Sequence, residues 1–436
     1  MEGRSGPGTI ALQTVGCKLN QAETDSLVYR FREAGYQIVA PNRAADIYLL
    51  NTCTVTHIAD HKCRKLLRLA HRRNPHSIIV VTGCYAERAP GELSSIEGVG
   101  VIIPNSDKDN AVEIVKSIDG FRTNGQKNSP HRIPSHTRTL IKIQEGCQQH
   151  CSFCIVPRVR GPERSYCQDD IIAEIKTRVT AGYKEVVLTG TRIGRYRQPG
   201  GLEGLIRRIL EESDIQRLRL SSLEPYDLTP ALVQLWDNKR LCPHIHLPLQ
   251  SGSDSVLTRM RRPYSIAEYR RAASLAQEAI PNLALTTDIM VGFPGESDSE
   301  FEESYGFCED IGFARIHVFP YSSRPGTCAN EFADKVEDRE KKRRTQLMLS
   351  LANTASRQFQ ERFLGQNVNV LWEENKNGIW YGTTDNYLHV NLSSRESLSN
   401  ELRTATLVAL GDSGMWGKLT DTSELQPTPL CNSFSI

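Results

Sequence analysis

Three cysteines crowd into the stretch Gly146-Cys147-Gln148-Gln149-His150-Cys151-Ser152-Phe153-Cys154, spaced C-x3-C-x2-C and directly after the apolar run Leu140 to Ile143. Thiolates this close can hold three irons of a four-iron cluster, and with no fourth cysteine in the group one iron keeps an open position. A zinc knuckle or unrelated core thiols are the alternatives. Zinc sites usually complete four ligands in two pairs; the spacing, Phe153 and the barrel-like continuation described below favour a cluster.

A second set of thiols is spread over the amino-terminal third. Four β-rich runs recur there: Thr9 to Val15, Asp46 to Leu50, Ser77 to Val81 and Val99 to Ile103. Helix-like segments such as Ala22 to Ala34 lie between them, so the pattern reads as βαβ units on a parallel sheet. Three runs lead into a cysteine: Val15-Gly16-Cys17, Asn51-Thr52-Cys53 and Thr82-Gly83-Cys84. Ligands of open parallel sheets collect at the carboxyl ends of strands, where these thiols would converge. One such cysteine is usually core packing. Three at the same relative position, two after a glycine that permits a tight turn, point to a second three-cysteine cluster.

After Asp119 to His136, a Gly/Asn/Ser/Pro-rich linker, strand and helix alternate again. Expected strands are Thr139–Gln144, Glu185–Leu188, Arg217–Ser221, His244–Leu249, Leu283–Val291 and Arg315–Phe319; expected helices include Asp169–Ala181, Gly201–Glu211, Ile266–Ala279 and Ser299–Ile311. The first strand delivers Cys147, Cys151 and Cys154 to the carboxyl-terminal rim, where barrels of this kind gather their active sites. Two basic loops, Arg192/Arg195/Arg197 and Arg259/Arg261/Arg262, are expected to frame the mouth with positive charge, although each arginine singly reads as a surface or ion-pair residue.

From Asp334 a helical run to Phe363 leads into a last segment whose period changes to two: Val368, Val370 and Trp372, then Ile379 to Tyr381, Leu388 to Asn391 and Thr406 to Val408. Short alternating strands predict a small antiparallel barrel. Trp380, Tyr381 and Tyr387 either stack on bases, at roughly 1 to 3 kcal/mol each, or fill this small core. Asp60 to Arg73 is an expected helix, with Leu66, Leu69 and Ala70 on one side and Arg64, Lys65, Arg68 and Arg72 elsewhere, either a phosphate-binding or a solvated face.

The chain has 436 residues, 39% hydrophobic and 24% charged, which predicts a globular protein of two or three domains. Its net charge of +2 confines any nucleic-acid footprint to a local patch. Met1 to Gly8 has no apolar core and no window approaches a membrane span, so a cytoplasmic protein without membrane contact is expected. Twelve cysteines in a chain of this size do not read as a secreted disulfide framework. Cys63, Cys167, Cys242, Cys308, Cys328 and Cys431 are assigned no role beyond ordinary thiols.

Gly16-Cys17-Lys18-Leu19-Asn20-Gln21-Ala22-Glu23, Asn51 to Thr56, Val81 to Ala86 and the Cys147 stretch together resemble the radical S-adenosylmethionine (SAM) methylthiotransferases. Within that family the closest branch is the MtaB-like one, which acts on N6-threonylcarbamoyladenosine at position 37 of tRNA. The resemblance implies an α/β architecture: an amino-terminal parallel-sheet domain over 8–118, a linker over 119–136, an open (β/α)6 radical SAM barrel over 137–364, an OB-like, RNA-binding TRAM domain over 366–422, and a disordered tail over 423–436.

Two 4Fe-4S clusters are likewise implied, one on Cys17, Cys53 and Cys84 and one on Cys147, Cys151 and Cys154, with Thr189, Gly190, Ser222 and Glu224 as SAM contacts. SAM occupies the open iron of the second cluster and is split to a 5'-deoxyadenosyl radical; another SAM methylates a sulfur held at the first. The target, C2 of adenosine, is neither acidic nor electrophilic, and the roughly 10² to 10⁴ that general acid–base catalysis contributes is no route to that bond. Implied partners are a tRNA anticodon loop, whose single-stranded base is cheaply presented, a reducing electron donor and a sulfur source. Rival readings are the same chemistry on N6-isopentenyladenosine or a ribosomal-protein aspartate, and a non-enzymatic iron–sulfur carrier or RNA-binding protein.

Overall fold

A computed structural model describes residues 8–119 and 137–420; the expected linker and tail fall outside the described residues. The first domain runs β1 (Thr9–Thr14), α1 (Lys18–Glu33), β2 (Gln37–Ile38), β3 (Ile47–Thr52), α2 (His57–Arg73), β4 (Ile78–Gly83), α3 (Cys84–Arg88), α4 (Pro90–Ser94), β5 (Val99–Ile103) and α5 (Ala111–Asp119). Its strands pair in the order β2-β1-β3-β4-β5, with parallel ladders throughout. All six residues of β3 are buried, as befits a central strand covered on both faces.

Two helices begin earlier than their apolar periodicity indicates. α2 starts at His57 because Thr56 accepts from the amide of Ala59 at 3.1 Å and caps the first turn. Its buried stripe is Asp60, Cys63, Leu67 and Ala70 rather than Leu66, Leu69 and Ala70. α1 starts at Lys18, its polar first turn hidden within the motif around Cys17.

The second domain opens with β6 (Arg138–Lys142). A short antiparallel ribbon follows, β7 (Gln144–Glu145) with β8 (Arg164–Ser165), bracketing the three-cysteine loop and α6 (Val156–Arg160). Then come α7 (Gln168–Thr180), β9 (Glu185–Thr189), α8 (Gly201–Glu212), β10 (Arg217–Leu220), α9 (Pro230–Val233), β11 (His244–His246), α10 (Asp254–Arg259), α11 (Ile266–Ala279), β12 (Ala284–Val291), α12 (Asp298–Ile311) and β13 (Arg315–Pro320). Two parallel three-stranded sheets, β6-β9-β10 and β11-β12-β13, meet through the bridges Leu218–Leu241 and Ser222–His246, giving six strands in sequence order. β6 and β13 are the open edges of this barrel wall. Ile141, Val186, Leu188 and Leu218 pack outward against Ile172, Leu205 and Ile209 of the surrounding helices.

The first domain spans that opening. α1 lies along β6. At the other edge Ser322, just past β13, accepts from the amide of His57 at 3.3 Å, and the buried Arg324 pairs with Asp60 and donates to Thr54 at 3.1 Å.

α13 (Asp338–Glu361) leads to a closed barrel of β14 (Asn367–Lys376), β15 (Ile379–Thr384), β16 (His389–Ser393), β17 (Leu402–Gly411) and β18 (Gly414–Leu419), ordered β14-β15-β16-β18-β17. The fifth strand, Gly-Met-Trp-Gly-Lys-Leu, lacks an alternating pattern and is placed by pairing antiparallel with β17 and parallel with β16, so the barrel expected to be antiparallel closes through one parallel ladder. This barrel docks under β6, β9 and β10. Arg217 donates to the carbonyls of Thr383 (2.8 Å) and Asn369 (2.7 Å), and Arg138 pairs with Glu373.

Of the two alternatives for the aromatics, packing holds for Trp380 and Tyr387. Trp380 is 6% exposed and its indole N–H donates to the carbonyl of Glu396 at 2.9 Å. Tyr387 is wedged between His244 (ring centroids 4.8 Å apart) and the guanidinium of Arg219 (4.3 Å from the ring).

Candidate active site

The first three thiols lie where β1, β3 and β4 end. Gly16 has φ +126°, and a side chain there would place Cβ 2.8 Å from the Cβ of Cys53, so glycine lets the two cysteine turns meet. Gly83 has φ +97° and presses against Thr52 and Asn51 in the same way. Asn20 laces the turns together, its amide donating to the carbonyls of Val15 (2.9 Å) and Thr52 (3.0 Å). Cys53 and Cys84 are buried and Cys17 is exposed. Cys63, also buried, lies behind Cys53 with its thiol 3.7 Å from the Cys53 carbonyl.

In the other triad Cys147 is buried and Cys151 and Cys154 are half-buried. The loop is pinned by Ser152, whose backbone bonds to Met260 (3.0 Å) and Ala329 (2.7 Å), and by Phe153, which packs against Val256, Met260 and Phe293. The triads share one interface. Cys84 packs with Ile155 and Val159, the former adjoining Cys154.

Each triad receives N–H donors on sulfur. Gln149 N–H lies 3.3 Å from Cys147 Sγ, Arg262 Nη1 3.4 Å from Cys151 Sγ, Val55 N–H 3.5 Å from Cys53 Sγ and Arg160 Nε 3.3 Å from Cys84 Sγ. Burial pushes the Cys53 and Cys154 thiols up to about 12 and raises that of Cys147. Thiols held protonated in this way give up the proton to a metal rather than to water. Among the described residues no three His, Cys, Asp or Glu side chains converge around a point as one metal ion requires. Cysteine thiols that receive N–H donors on sulfur are the donor type an iron–sulfur cluster takes.

Arg160, which the motifs did not single out, belongs to the barrel domain yet reaches the first. Besides Cys84 it holds Glu23 and Asn20. Glu23, 5% exposed, also pairs with Lys108 at 2.7 Å and Lys142 at 3.7 Å. Burial acts to raise the Glu23 carboxyl, but Lys108, Arg160 and Lys142 hold it well below the usual carboxylate range. The only local signal was an acidic residue six positions after Cys17 on a helix that carries no other buried charge.

At the rim, the Thr189 carbonyl accepts from Ile143 N–H at 2.9 Å. Gly190 permits the backbone of Gln144 to approach, since a Cβ there would lie 2.6 Å from its carbonyl. Ser222 is exposed and Glu224 pairs with Arg262. Beside them the hydroxyls of Thr191 and Ser221 are buried without a hydrogen-bond partner among the described residues.

For the two basic loops the ion-pair and surface reading of the single arginines holds. Arg192 and Arg197 both pair with Glu163 at 3.1 Å, Arg259 with Glu300 at 2.8 Å and Arg262 with Glu224; Arg195 and Arg261 stay exposed. On α2, Arg64 is likewise engaged, donating to the Tyr85 hydroxyl at 2.8 Å, whereas Lys65, Arg68 and Arg72 are exposed. No helix among the described residues is long and apolar enough to cross a membrane.

Residues 9–103 match the family described as "Uncharacterized protein family UPF0004", and residues 141–308 match the Radical SAM superfamily. The threonylcarbamoyladenosine tRNA methylthiotransferase MtaB of Bacillus subtilis (strain 168) is 34% identical over 92% of this chain and 94% of its own length. That of Aquifex aeolicus (strain VF5) is 35% identical over 87% and 96%. The tRNA-2-methylthio-N(6)-dimethylallyladenosine synthase of Endomicrobium trichonymphae is 35% identical over 90% and 98%. Among solved structures, the radical S-adenosylmethionine methyltransferase TsrM of Kitasatospora setae superposes with a TM-score of 0.57 at 13% identity, over 74% of this chain and 77% of that one, a likeness of fold. With two thiol triads at one domain interface and relatives at this identity along nearly the whole length, the chain belongs to the radical SAM methylthiotransferase family of enzymes.

Proposed function

We propose that this enzyme installs a methylthio group on C2 of N6-threonylcarbamoyladenosine at position 37 of tRNA, consuming two SAM. Cys147, Cys151 and Cys154 hold one 4Fe-4S cluster and Cys17, Cys53 and Cys84 an auxiliary one. When bound, these groups supply the radical and methyl chemistry that side chains lack. Thr189, Gly190, Ser222 and Glu224 line the rim that receives SAM. The observation that carries this reading is the shared interface of the triads, with Cys84 against Ile155. The domains divide at 8–118, 137–364 and 366–422, the last a TRAM-type RNA-binding module, and the anticodon loop enters between the first two. An electron donor and a sulfur source complete the reaction.

Mass spectrometry of tRNA nucleosides from a strain lacking this chain tests the substrate. Loss of the methylthio form of threonylcarbamoyladenosine is expected; loss of the dimethylallyl form instead would assign the chain to the other branch.

The exposed basic face of α2 is assigned to the tRNA footprint, supported by the exposure of Lys65, Arg68 and Arg72 and of the apolar Val55 and Ile58 beside them, 50% and 78% exposed. Arg68→Ala is expected to lower the slope of log K against log salt for tRNA binding by about one. An unchanged slope removes α2 from the interface.

A further inference from the structure

The lumen of the open barrel carries a group of charged residues that the cluster and SAM assignments leave unused. Along β13, Ile316 and Val318 pack outward into the helical core, so Arg315, His317 and Phe319 face the lumen. Registers of Thr286 with Arg315, Asp288 with His317 and His246 with Thr286 set these side chains on neighbouring rungs. His246 bonds Thr286 through Nδ1 at 2.9 Å and meets Asp288 through Nε2 at 3.4 Å, and its ring centroid lies 5.7 Å from that of His317. Lys18 reaches the same chamber from the first domain. It is the residue after Cys17, and its ammonium sits 5.8 Å from the ring of Tyr387, which stacks on His244.

Charge accounting separates two of these groups from the rest. Arg138 has Glu373 within ion-pair reach, Arg219 has Glu185 (shared with Arg217), Lys142 has Glu23 (shared with Lys108 and Arg160) and Glu145 (shared with Arg164), and Arg262 has Glu224. Asp288 is engaged with His246. Among the described residues, Lys18 and Arg315 have no carboxylate within ion-pair reach, and Arg315 is exposed. Two unmatched cations, one from each domain, lie within electrostatic reach of His317, and one of them, Lys18, directly follows Cys17. An anion entering the chamber is stabilised, and a hydrocarbon must strip both cations of water without return.

We propose that Lys18 and Arg315 receive the carboxylate of the threonylcarbamoyl group, which makes them determinants of specificity for an acid-bearing adenosine over a hydrocarbon-bearing one. The inference rests on the threonylcarbamoyladenosine reading and deepens it. His317 and Thr286 line the same rungs and offer polar contacts to the hydroxyl and carbamoyl of that appendage. Phe319, 47% exposed two residues nearer the mouth, presents an apolar face to the base.

The test uses the anaerobically reconstituted full chain and anticodon stem-loop RNAs bearing N6-threonylcarbamoyladenosine, its neutral threoninamide analogue or N6-dimethylallyladenosine. Wild type is expected to prefer the acid over the amide in kcat/KM by about tenfold or more, the value of a charged hydrogen bond. In K18M and in R315M that ratio is expected to fall to within about threefold of one, and K18R is expected to keep most of it. Iron content equal to wild type shows that K18M has not lost the neighbouring cluster, and R315M lies on a barrel strand rather than beside a triad cysteine. An unchanged ratio in both variants, or equal losses on acid and amide, overturns the receptor. Turnover by wild type of the dimethylallyl RNA alone overturns the substrate reading itself, and this inference with it.

Discussion

Cys17→Ala is expected to abolish methylthio transfer while leaving SAM cleavage measurable. Cys17 lies between β1 and α1 in the first domain and, among the described residues, shares no backbone bond with the loop of Cys147, Cys151 and Cys154, which is pinned separately by Ser152 and Phe153. Losing it would remove one of the three ligands proposed for the auxiliary cluster, and a cluster on two thiolates is not expected to survive. Iron per chain should then fall from about eight toward about four. Assays of 5'-deoxyadenosine and of methylthiolated nucleoside on one preparation read the two functions apart. If cleavage disappears along with transfer, the two triads do not divide the work as proposed.

Glu23→Gln is expected to cost about 3 to 5 kcal/mol, the usual penalty for removing one partner of a buried ion pair. The substitution keeps the shape and leaves Lys108, 5% exposed, and Arg160 facing each other without a compensating charge. Calorimetry should show a lower melting temperature for the variant. The carboxyl is held below its ordinary value in the folded chain, so its contribution is fully present above the unfolded value of about 4.3 and is lost only as pH falls below that. The gap between wild type and variant should therefore be flat from about pH 6 to 8 and narrow only in stronger acid. A gap that narrows between pH 8 and 6 would assign the effect to another group.

The placement of Cys17, Cys53 and Cys84 just past three strand ends was legible because a cysteine there is fixed by its own few neighbours. Gly16, Asn20 and Gly83 do the positioning within the same motifs. Contacts that depend on distant chain were not legible. Arg160 meets Glu23 across 137 positions, and the carboxylates that occupy Arg192, Arg259 and Arg262 come from Glu163, Glu300 and Glu224 on other segments, Glu300 from the first turn of α12. The fates of Trp380 and Tyr387 were settled by closure and docking of the last barrel, which an aromatic residue's own type does not announce. The same holds for β18, whose glycines carry no alternation and which becomes a strand through its neighbours.

Arg160 makes the Cys84 corner a joint product of two domains, since its guanidinium comes from the helix after Cys154. A chimaera that grafts residues 9–103 onto a foreign barrel would therefore import three cysteines with one sulfur stripped of its donor and Glu23 stripped of a counter-ion. Transplanting the auxiliary site requires carrying the Val156–Arg160 helix along with it.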